Sequence, residues 1–390
     1  MSAVIQCAFQ RRINKGSSII MSMLFSPYTL KGVTLRNRIA VAPMCQYQAH
    51  DGYLSEWHAP HYAGLARGGA GLVIVEATAV SPEGRITPGC AGLWDEGQIE
   101  GMARVAAAIS AGGAVPGIQL AHAGRKASAN LPWEGDDHIA PGAPGGWTAL
   151  APSALPFGGS LSNVPQAMSI EDIERVKGDF VRAAQRALAA GFKWLELHFA
   201  HGYLAQSFFS AASNARTDRY GGSEENRGRF LLETLAAVRA VWPDEFPLTV
   251  RFGIVEFDGD DEQVFPEAQR VITSMKHAGL DLLNASMGFS TPSSNVPWGK
   301  GLLLPWIERL GMSELPMASA WLLDDPRAAE AAVADGTLEI VMIGRAFLAN
   351  PHYAYELAQK LRVDRPTGVL PSPYAHWLAR YRGAGRKAAL

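Results

Sequence analysis

Two histidines and a tyrosine stand close together in the run His198-Phe199-Ala200-His201-Gly202-Tyr203. Imidazole N–H groups stabilise a developing oxyanion and a phenol gives up a proton, so these residue types at this spacing suit an oxyanion-and-proton site. Bound metal is the other chemistry that His-x-x-His allows, but it needs further histidine or carboxylate ligands converging on the pair. The sequence offers no such set. The preceding stretch, Phe192-Lys193-Trp194-Leu195-Glu196-Leu197, is apolar and aromatic and follows Gly191, which closes a helical pattern, so it reads as a strand. Alternation then puts Trp194, Glu196 and His198 on one face and Leu195 and Leu197 on the other. His201 and Tyr203 fall just beyond the strand, where the chain turns.

That strand is the fourth of eight. Ile39–Pro43, Leu72–Glu76 and Val115–Leu120 precede it; Leu248–Phe252, Leu280–Ser286, Leu315–Ala320 and Leu338–Ile343 follow. Helical patterns alternate with them: Pro60–Arg67, Gln98–Ala111, a helix opened by the capping-box pattern Ser169-Ile170-Glu171-Asp172, then Glu225–Val241, Gln263–Ala278, Leu303–Leu310, Pro326–Ala334 and Pro351–Leu361. This rhythm predicts an α/β fold of the (β/α)8 barrel type. A doubly wound sheet is the alternative, but no GxGxxG opens a helix after the first strand. Leu30–Leu35 reads as a hairpin lid over one end. The Gly/Pro-rich stretch 132–165 reads as an elaborated loop after the third strand, and no composition break marks a second domain.

Barrel active sites lie at the C-terminal ends of the strands. There the sequence places Pro43-Met44-Cys45-Gln46-Tyr47, Glu76-Ala77-Thr78, Gln119, His198, Arg251, Asn284 with Ser286, Ala320-Trp321 and Gly344-Arg345. Burying so many polar groups without function is costly. Arg251, ending an apolar strand, calls for an anionic or strongly polar partner. Gly344-Arg345, opening a helix, offers backbone N–H groups and a guanidinium as a phosphate seat.

Composition narrows the rest. The 390 residues carry 35 basic and 37 acidic side chains, a formal net charge of −2, spread along the chain without a basic tract for nucleic acid. No uncharged apolar run reaches membrane-spanning length. Three widely spaced cysteines, Cys7, Cys45 and Cys90, make neither a disulfide framework nor a CxxC site, so a reducing cytoplasm is expected. Residues 1–22 are basic and lack a signal-like apolar core; they read as a disordered extension or an upstream start, with a transit peptide as the minor alternative. Residues 23–382 form the barrel in this reading and 383–390 a tail.

Asn214-Ala215-Arg216-Thr217-Asp218-Arg219-Tyr220-Gly221-Gly222-Ser223, continuing to Phe230, resembles the signature loop and helix of the old yellow enzyme family of flavin-dependent ene-reductases. So do Ala42–Tyr47, Gln119–Lys126 and the His198–Tyr203 run, and the resemblance extends from about Met23 to Arg382. Cysteine after Pro43-Met44, with Pro373-Tyr374-Ala375-His376-Trp377 near the C-terminus, is similar to the subgroup of xenobiotic reductase A. The resemblance implies a barrel holding FMN, reduced by NADPH or NADH. It implies flavin contacts from Pro43, Met44, Cys45, Ala77 and Gln119, with Arg251 near the pyrimidine end and Ala320, Trp321, Gly344 and Arg345 towards the phosphate. His198 and His201 would grip a substrate carbonyl, Tyr203 would donate the proton, Cys45 would tune the flavin, and Tyr47, Trp321 and Trp377 would shape the pocket. The implied substrates are enones and other activated alkenes; the implied assembly is a homo-dimer or tetramer with the C-terminal segment near a neighbouring site.

The sequence departs from that family at Leu322-Leu323-Asp324-Asp325, where relatives tend to have glycine near the phosphate. Leucine lacks glycine's conformational freedom, and the two acids bring negative charge. A flavin-binding barrel with impaired turnover therefore stays open, and so does a metal-assisted hydrolase or lyase on the same barrel, since fold does not dictate chemistry. Three scattered cysteines cannot ligate an iron–sulfur cluster, which disfavours the larger dienoyl-CoA reductase relatives.

Overall fold

A computed structural model describes residues 22–312 and 314–381. The expected extension, apart from Ser22, and the expected tail lie outside the described residues. Eight parallel strands close into a barrel: β1 (Ile39–Val41), β2 (Leu72–Ala79), β3 (Val115–Ala121), β4 (Trp194–Phe199), β5 (Leu248–Val255), β6 (Leu282–Met287), β7 (Met317–Ser319) and β8 (Ile340–Ile343), with β8 pairing back to β1. The helices lie outside, among them α1 (His58–Arg67), α2 (Ile99–Ala111), α3 (Ile170–Ala189), α4 (Leu204–Phe209), α5 (Glu224–Arg239), α6 (Asp261–His277), α7 (Leu304–Leu310), α8 (Pro326–Ala334), α9 (Arg345–Ala349), α10 (Tyr353–Lys360) and α11 (Ser372–Leu378). The predicted fold and its eight strands are therefore present.

Where expectation and structure differ, the ends move for a physical reason. The fourth strand starts at Trp194 rather than Phe192 and runs on through His198 to Phe199, since it pairs with β5 as far as Phe199–Phe252. The short helices α4, α9 and α11 carry too few turns to show a periodicity. Ser169 caps α3 as expected: its hydroxyl accepts from the Asp172 N–H, and the Asp172 side chain accepts from the Ser169 N–H at 2.9 Å.

Alternation along β4 divides the core in two. Leu195 and Leu197 pack outward against helices, in one cluster with Phe180 of α3 and Leu231 of α5. Trp194 points inward and meets Ile74, Leu282, Ala318, Ile340 and Met342. The hairpin of Tyr28–Leu30 and Val33–Leu35 closes the N-terminal end of the barrel, with Val33 and Leu35 in that interior cluster and the Gly32 N–H donated to the Glu245 carbonyl at 2.8 Å. Apolar side chains thus plug the lower barrel and leave its polar residues at the C-terminal rim. Among the described residues no helix is long and apolar enough to cross a membrane.

Candidate active site

Above Trp194 the interior turns polar. Glu196, with no exposed surface, accepts hydrogen bonds from Gln119 Nε2 at 2.7 Å and Asn284 Nδ2 at 2.8 Å. One level higher, His198 of β4 stands in register with Arg251 of β5. The guanidinium carries its charge into a nearly closed interior and has one hydrogen bond among the described residues, from Nε to Ser286 Oγ at 3.3 Å. Burial lowers the Arg251 pKa, opposed first by the Glu196 carboxylate and then by Tyr203.

After Phe199 the chain reverses through Ala200-His201-Gly202-Tyr203, and this turn brings the three candidate catalytic rings together. The His198 and His201 centroids lie 4.8 Å apart, His198 and Tyr203 4.9 Å, and His201 and Tyr203 6.2 Å. The turn needs two left-handed residues, His201 at φ +60° and Gly202 at φ +67°. It is pinned by Lys126, whose Nζ donates to the carbonyls of His201 at 2.7 Å and Phe289 at 3.0 Å. Arg125 likewise donates to the carbonyls of Leu155, Pro156 and Ser290. Neither side chain is a solvated surface group: Arg125 is buried, Lys126 is half-buried, and burial pulls the Lys126 pKa down to about 7. A Cβ on Gly202 would collide with the Phe289 carbonyl and meet Lys126 Nζ at 2.9 Å. Gly202→Ala is accordingly expected to cost about 2 kcal/mol or more, from left-handed strain plus the clash, read as a lower denaturant midpoint together with a fall in kcat.

The hydrogen bonds fix which imidazole nitrogens carry protons. His198 Nδ1 accepts the Ala200 N–H at 3.3 Å, so its proton is on Nε2. Ser286 Oγ receives Trp321 Nε1–H at 3.1 Å and Arg251 Nε–H at 3.3 Å, and its own proton faces His201 Nε2 at 2.9 Å. The His201 proton is then on Nδ1. Burial first, then the charges of Arg251 and Lys126, hold both imidazoles well below the usual histidine range, so each stays neutral with one N–H. Neither His198 Nε2 nor His201 Nδ1 has a hydrogen-bond partner among the described residues. Burial raises the Tyr203 pKa far above the usual phenol value, keeping its proton in place.

A cavity of about 390 Å³ opens beside this group, within the range of small-molecule and cofactor sites. Its walls include Pro43, Met44, His201, Arg251, Ala320, Trp321, Gly344 and Arg345 from the sequence reading, and also Trp298, Leu322, Asp324 and Met342. Cys45, Tyr47, Ala77, Gln119, His198, Tyr203 and Trp377 do not line it. Tyr47 packs edge-on against Trp133 at 5.8 Å, Ala77 pairs in register with Gln119, and Trp377 on α11 is 70% exposed. Sequence reasoning named Ser286 only as a strand-exit residue and missed its position between three site side chains. Trp298 stands 5.8 Å from Trp321 on a loop with no periodic pattern, so no local signal marks it.

The departure at residues 321–325 takes a definite form. Trp321 at φ +62° and Leu322 at φ +61° are both left-handed, a conformation that suits glycine far better than leucine. Asp325 caps α8 and pairs with Lys300 Nζ at 2.8 Å, so its charge is engaged away from the cavity. Asp324 is the acid that lines the wall. The cavity still fits FMN: apolar Ala42-Pro43-Met44 forms one wall, the under-bonded Arg251 guanidinium lies at another, and Arg345 stands at a further edge. Gly344 leaves room there that a Cβ would take from Met44, 3.2 Å from its sulfur. Among the described residues no group of three His, Cys, Asp or Glu side chains could hold a metal ion.

Known proteins match this chain closely. Residues 23–364 match the profile described as the NADH:flavin oxidoreductase / NADH oxidase family. An NADH:flavin oxidoreductase of Gibberella zeae is 40% identical over 358 residues, covering 87% of this chain and 86% of that protein. An NADPH dehydrogenase of Bacillus velezensis is 39% identical over 349 residues, covering 89% and 97%. The structure of the old yellow enzyme homologue from Zymomonas mobilis superposes with a TM-score of 0.70 at 28% identity, covering 86% of this chain and 92% of that one. With barrel, cavity and paired imidazoles in place, the chain belongs to the NADH:flavin oxidoreductase / NADH oxidase family, that of the old yellow enzymes.

Proposed function

We propose that this FMN-dependent NAD(P)H oxidoreductase is an ene-reductase that saturates the activated C=C bond of α,β-unsaturated carbonyl compounds. One observation carries the reading: two neutral imidazoles, each with an unengaged N–H, sit 4.8 Å apart and 4.9 and 6.2 Å from a phenol that keeps its proton, beside a cofactor-sized cavity. FMN bound there would supply the redox chemistry, a hydride relay between NAD(P)H and the β-carbon of the alkene.

Every other task falls to side chains. Pro43, Met44, Cys45, Ala77, Gln119 and Arg251 would hold the ring system, and Ala320, Trp321, Gly344 and Arg345 would hold the ribityl phosphate. His198 Nε2–H and His201 Nδ1–H receive the substrate carbonyl oxygen and stabilise the negative charge that grows on it. Tyr203 then delivers its proton to the α-carbon. Tyr47 and Trp321 shape the substrate space. The likeness of Cys45 and of Pro373–Trp377 to xenobiotic reductase A supports placing the chain in that subgroup. It also supports a homo-oligomer in which the exposed Tyr374 and Trp377 of α11 reach a neighbouring site. The nicotinamide reductant and free Cys45 and Cys90 suit a reducing cytoplasm.

The test is direct. Purified protein loaded with FMN is mixed anaerobically with NADPH, then with cyclohexenone. Flavin absorbance should bleach in the first step and return in the second. Protein that stays colourless after FMN is added overturns the reading, and a bleached flavin that the enone never restores leaves only a flavin-binding barrel.

A further inference from the structure

Against the segment that follows β1 lies a buried acid that this chemistry does not use. The pairing of β2 with β3 slips between Val75 and Ala77, a bulge centred on Glu76. A bulge re-aims the side chain it carries, and here Glu76 meets α1. It has no exposed surface. Its Oε1 accepts the Tyr62 O–H at 3.0 Å, and the Tyr62 oxygen in turn accepts the Glu76 backbone N–H at 3.0 Å. Its Oε2 accepts the Gln46 backbone N–H at 2.8 Å.

His58 completes the cluster. Its Nδ1 accepts the Ser55 N–H at 3.0 Å, so its proton is on Nε2, which faces Glu76 Oε1 at 3.6 Å and has no hydrogen-bond partner among the described residues. Packing does not explain this arrangement, since an apolar side chain would fill the space without the cost of desolvating a carboxyl and distorting a strand. What the carboxyl holds does explain it. Gln46 directly follows Pro43-Met44-Cys45, and Pro43 and Met44 form a wall of the cofactor cavity.

We propose that Glu76 is a positioning residue for the Pro43–Tyr47 segment, and that gain or loss of its proton changes how that segment meets bound FMN. The inference rests on the flavin reading. The groups facing Glu76 are His58 and Tyr62 on α1, Gln46 and Tyr47 with Cys45 beyond β1, and Cys90 on the loop after β2. Burial keeps His58 neutral and keeps Tyr62, Cys45 and Cys90 protonated, so the Glu76 carboxyl is the group of this cluster that changes charge near neutrality. Burial pushes it up to about 7 against the opposing effect of the Gln46, Tyr62 and Tyr47 hydrogen bonds.

The experiment follows the visible absorbance and midpoint potential of bound FMN from pH 5.5 to 9 in wild-type protein, Glu76→Gln and Tyr62→Phe. Wild type should show an inflection near neutral pH beyond that of free flavin. Glu76→Gln should lose it and hold a higher potential above neutrality, because a negative charge near the flavin is gone. Tyr62→Phe removes one donor from the carboxylate and should move the inflection up by about one pH unit. Wild-type and Glu76→Gln curves that superimpose overturn the proposal and leave the flavin reading intact, whereas wild-type protein that binds no FMN at any pH overturns both.

Thermal unfolding of the flavin-free protein gives a second readout. A folded-state pKa raised from 4.5 to about 7 means that the folded protein holds a proton which the unfolded chain has released. That contribution to stability is complete below the unfolded value and is lost as pH rises through the folded one. Wild type should therefore lose stability relative to Glu76→Gln between pH 4.5 and 7, and parallel curves overturn the assignment of the titration to Glu76.

Discussion

Tyr203→Phe should leave flavin reduction by NADPH at the wild-type rate and slow reoxidation by an enone about 10²- to 10⁴-fold, the usual contribution of a positioned general acid. The phenylalanine ring keeps the edge-to-face packing on His198 at 4.9 Å and on His201 at 6.2 Å, so the fold and the oxygen-binding imidazoles are undisturbed. Only the proton is removed. Burial holds the wild-type phenol far above its ordinary pKa, so the oxidative rate should not fall through loss of this proton up to pH 9. Anaerobic stopped-flow of the two half-reactions separates the effects, and an unchanged enone rate in the variant would remove Tyr203 from the proton-donor role.

Arg251→Met should destabilise the barrel itself. Arg251 is the cation that opposes the buried Glu196 carboxylate, and Glu196 has no exposed surface through which water could replace it. The two groups make no direct ion pair or hydrogen bond among the described residues, so what is lost is longer-range compensation of a buried carboxylate, roughly 1–3 kcal/mol. Methionine fills similar volume, so the loss is electrostatic rather than a cavity effect. The same guanidinium, second only to burial, depresses His198 and His201, so both imidazoles should take up protons at higher pH in the variant. Chemical denaturation should show the destabilisation, and the double variant Arg251→Met/Glu196→Gln should recover a large part of it. If the single and double variants unfold at the same denaturant concentration, the two charges are not coupled.

Much of this was legible in the chain because the relevant interactions are local in sequence. Strand alternation puts Glu196 and His198 on the same side as Trp194, and Trp194 faces the barrel interior. The Ser169–Asp172 capping box needs four consecutive residues and forms as read. The eightfold rhythm of apolar runs determines which ends of the strands carry polar side chains. None of these depends on which residues meet across the barrel.

What the tertiary structure alone decided depends on contacts between distant segments. In sequence Lys126 and Arg125 are two adjacent basic residues after a strand; their burial and their bonds to carbonyls up to 165 residues away make them staples between loops. Ser286 is an ordinary hydroxyl in sequence, and only the meeting of β4, β5, β6 and the segment after β7 makes it the group that sets the His201 tautomer. Glu76 reads as a strand-exit carboxylate; a bulge invisible to periodicity turns it onto Tyr62, His58 and the Gln46 amide. The sequence by itself determined the barrel and the residues at its rim, because periodicity and capping act over a few residues. Protonation states, tautomers and the backbone at Trp321 and Leu322 were decided only by the closed barrel, because desolvation and long-range hydrogen bonds exist only once the strands have met.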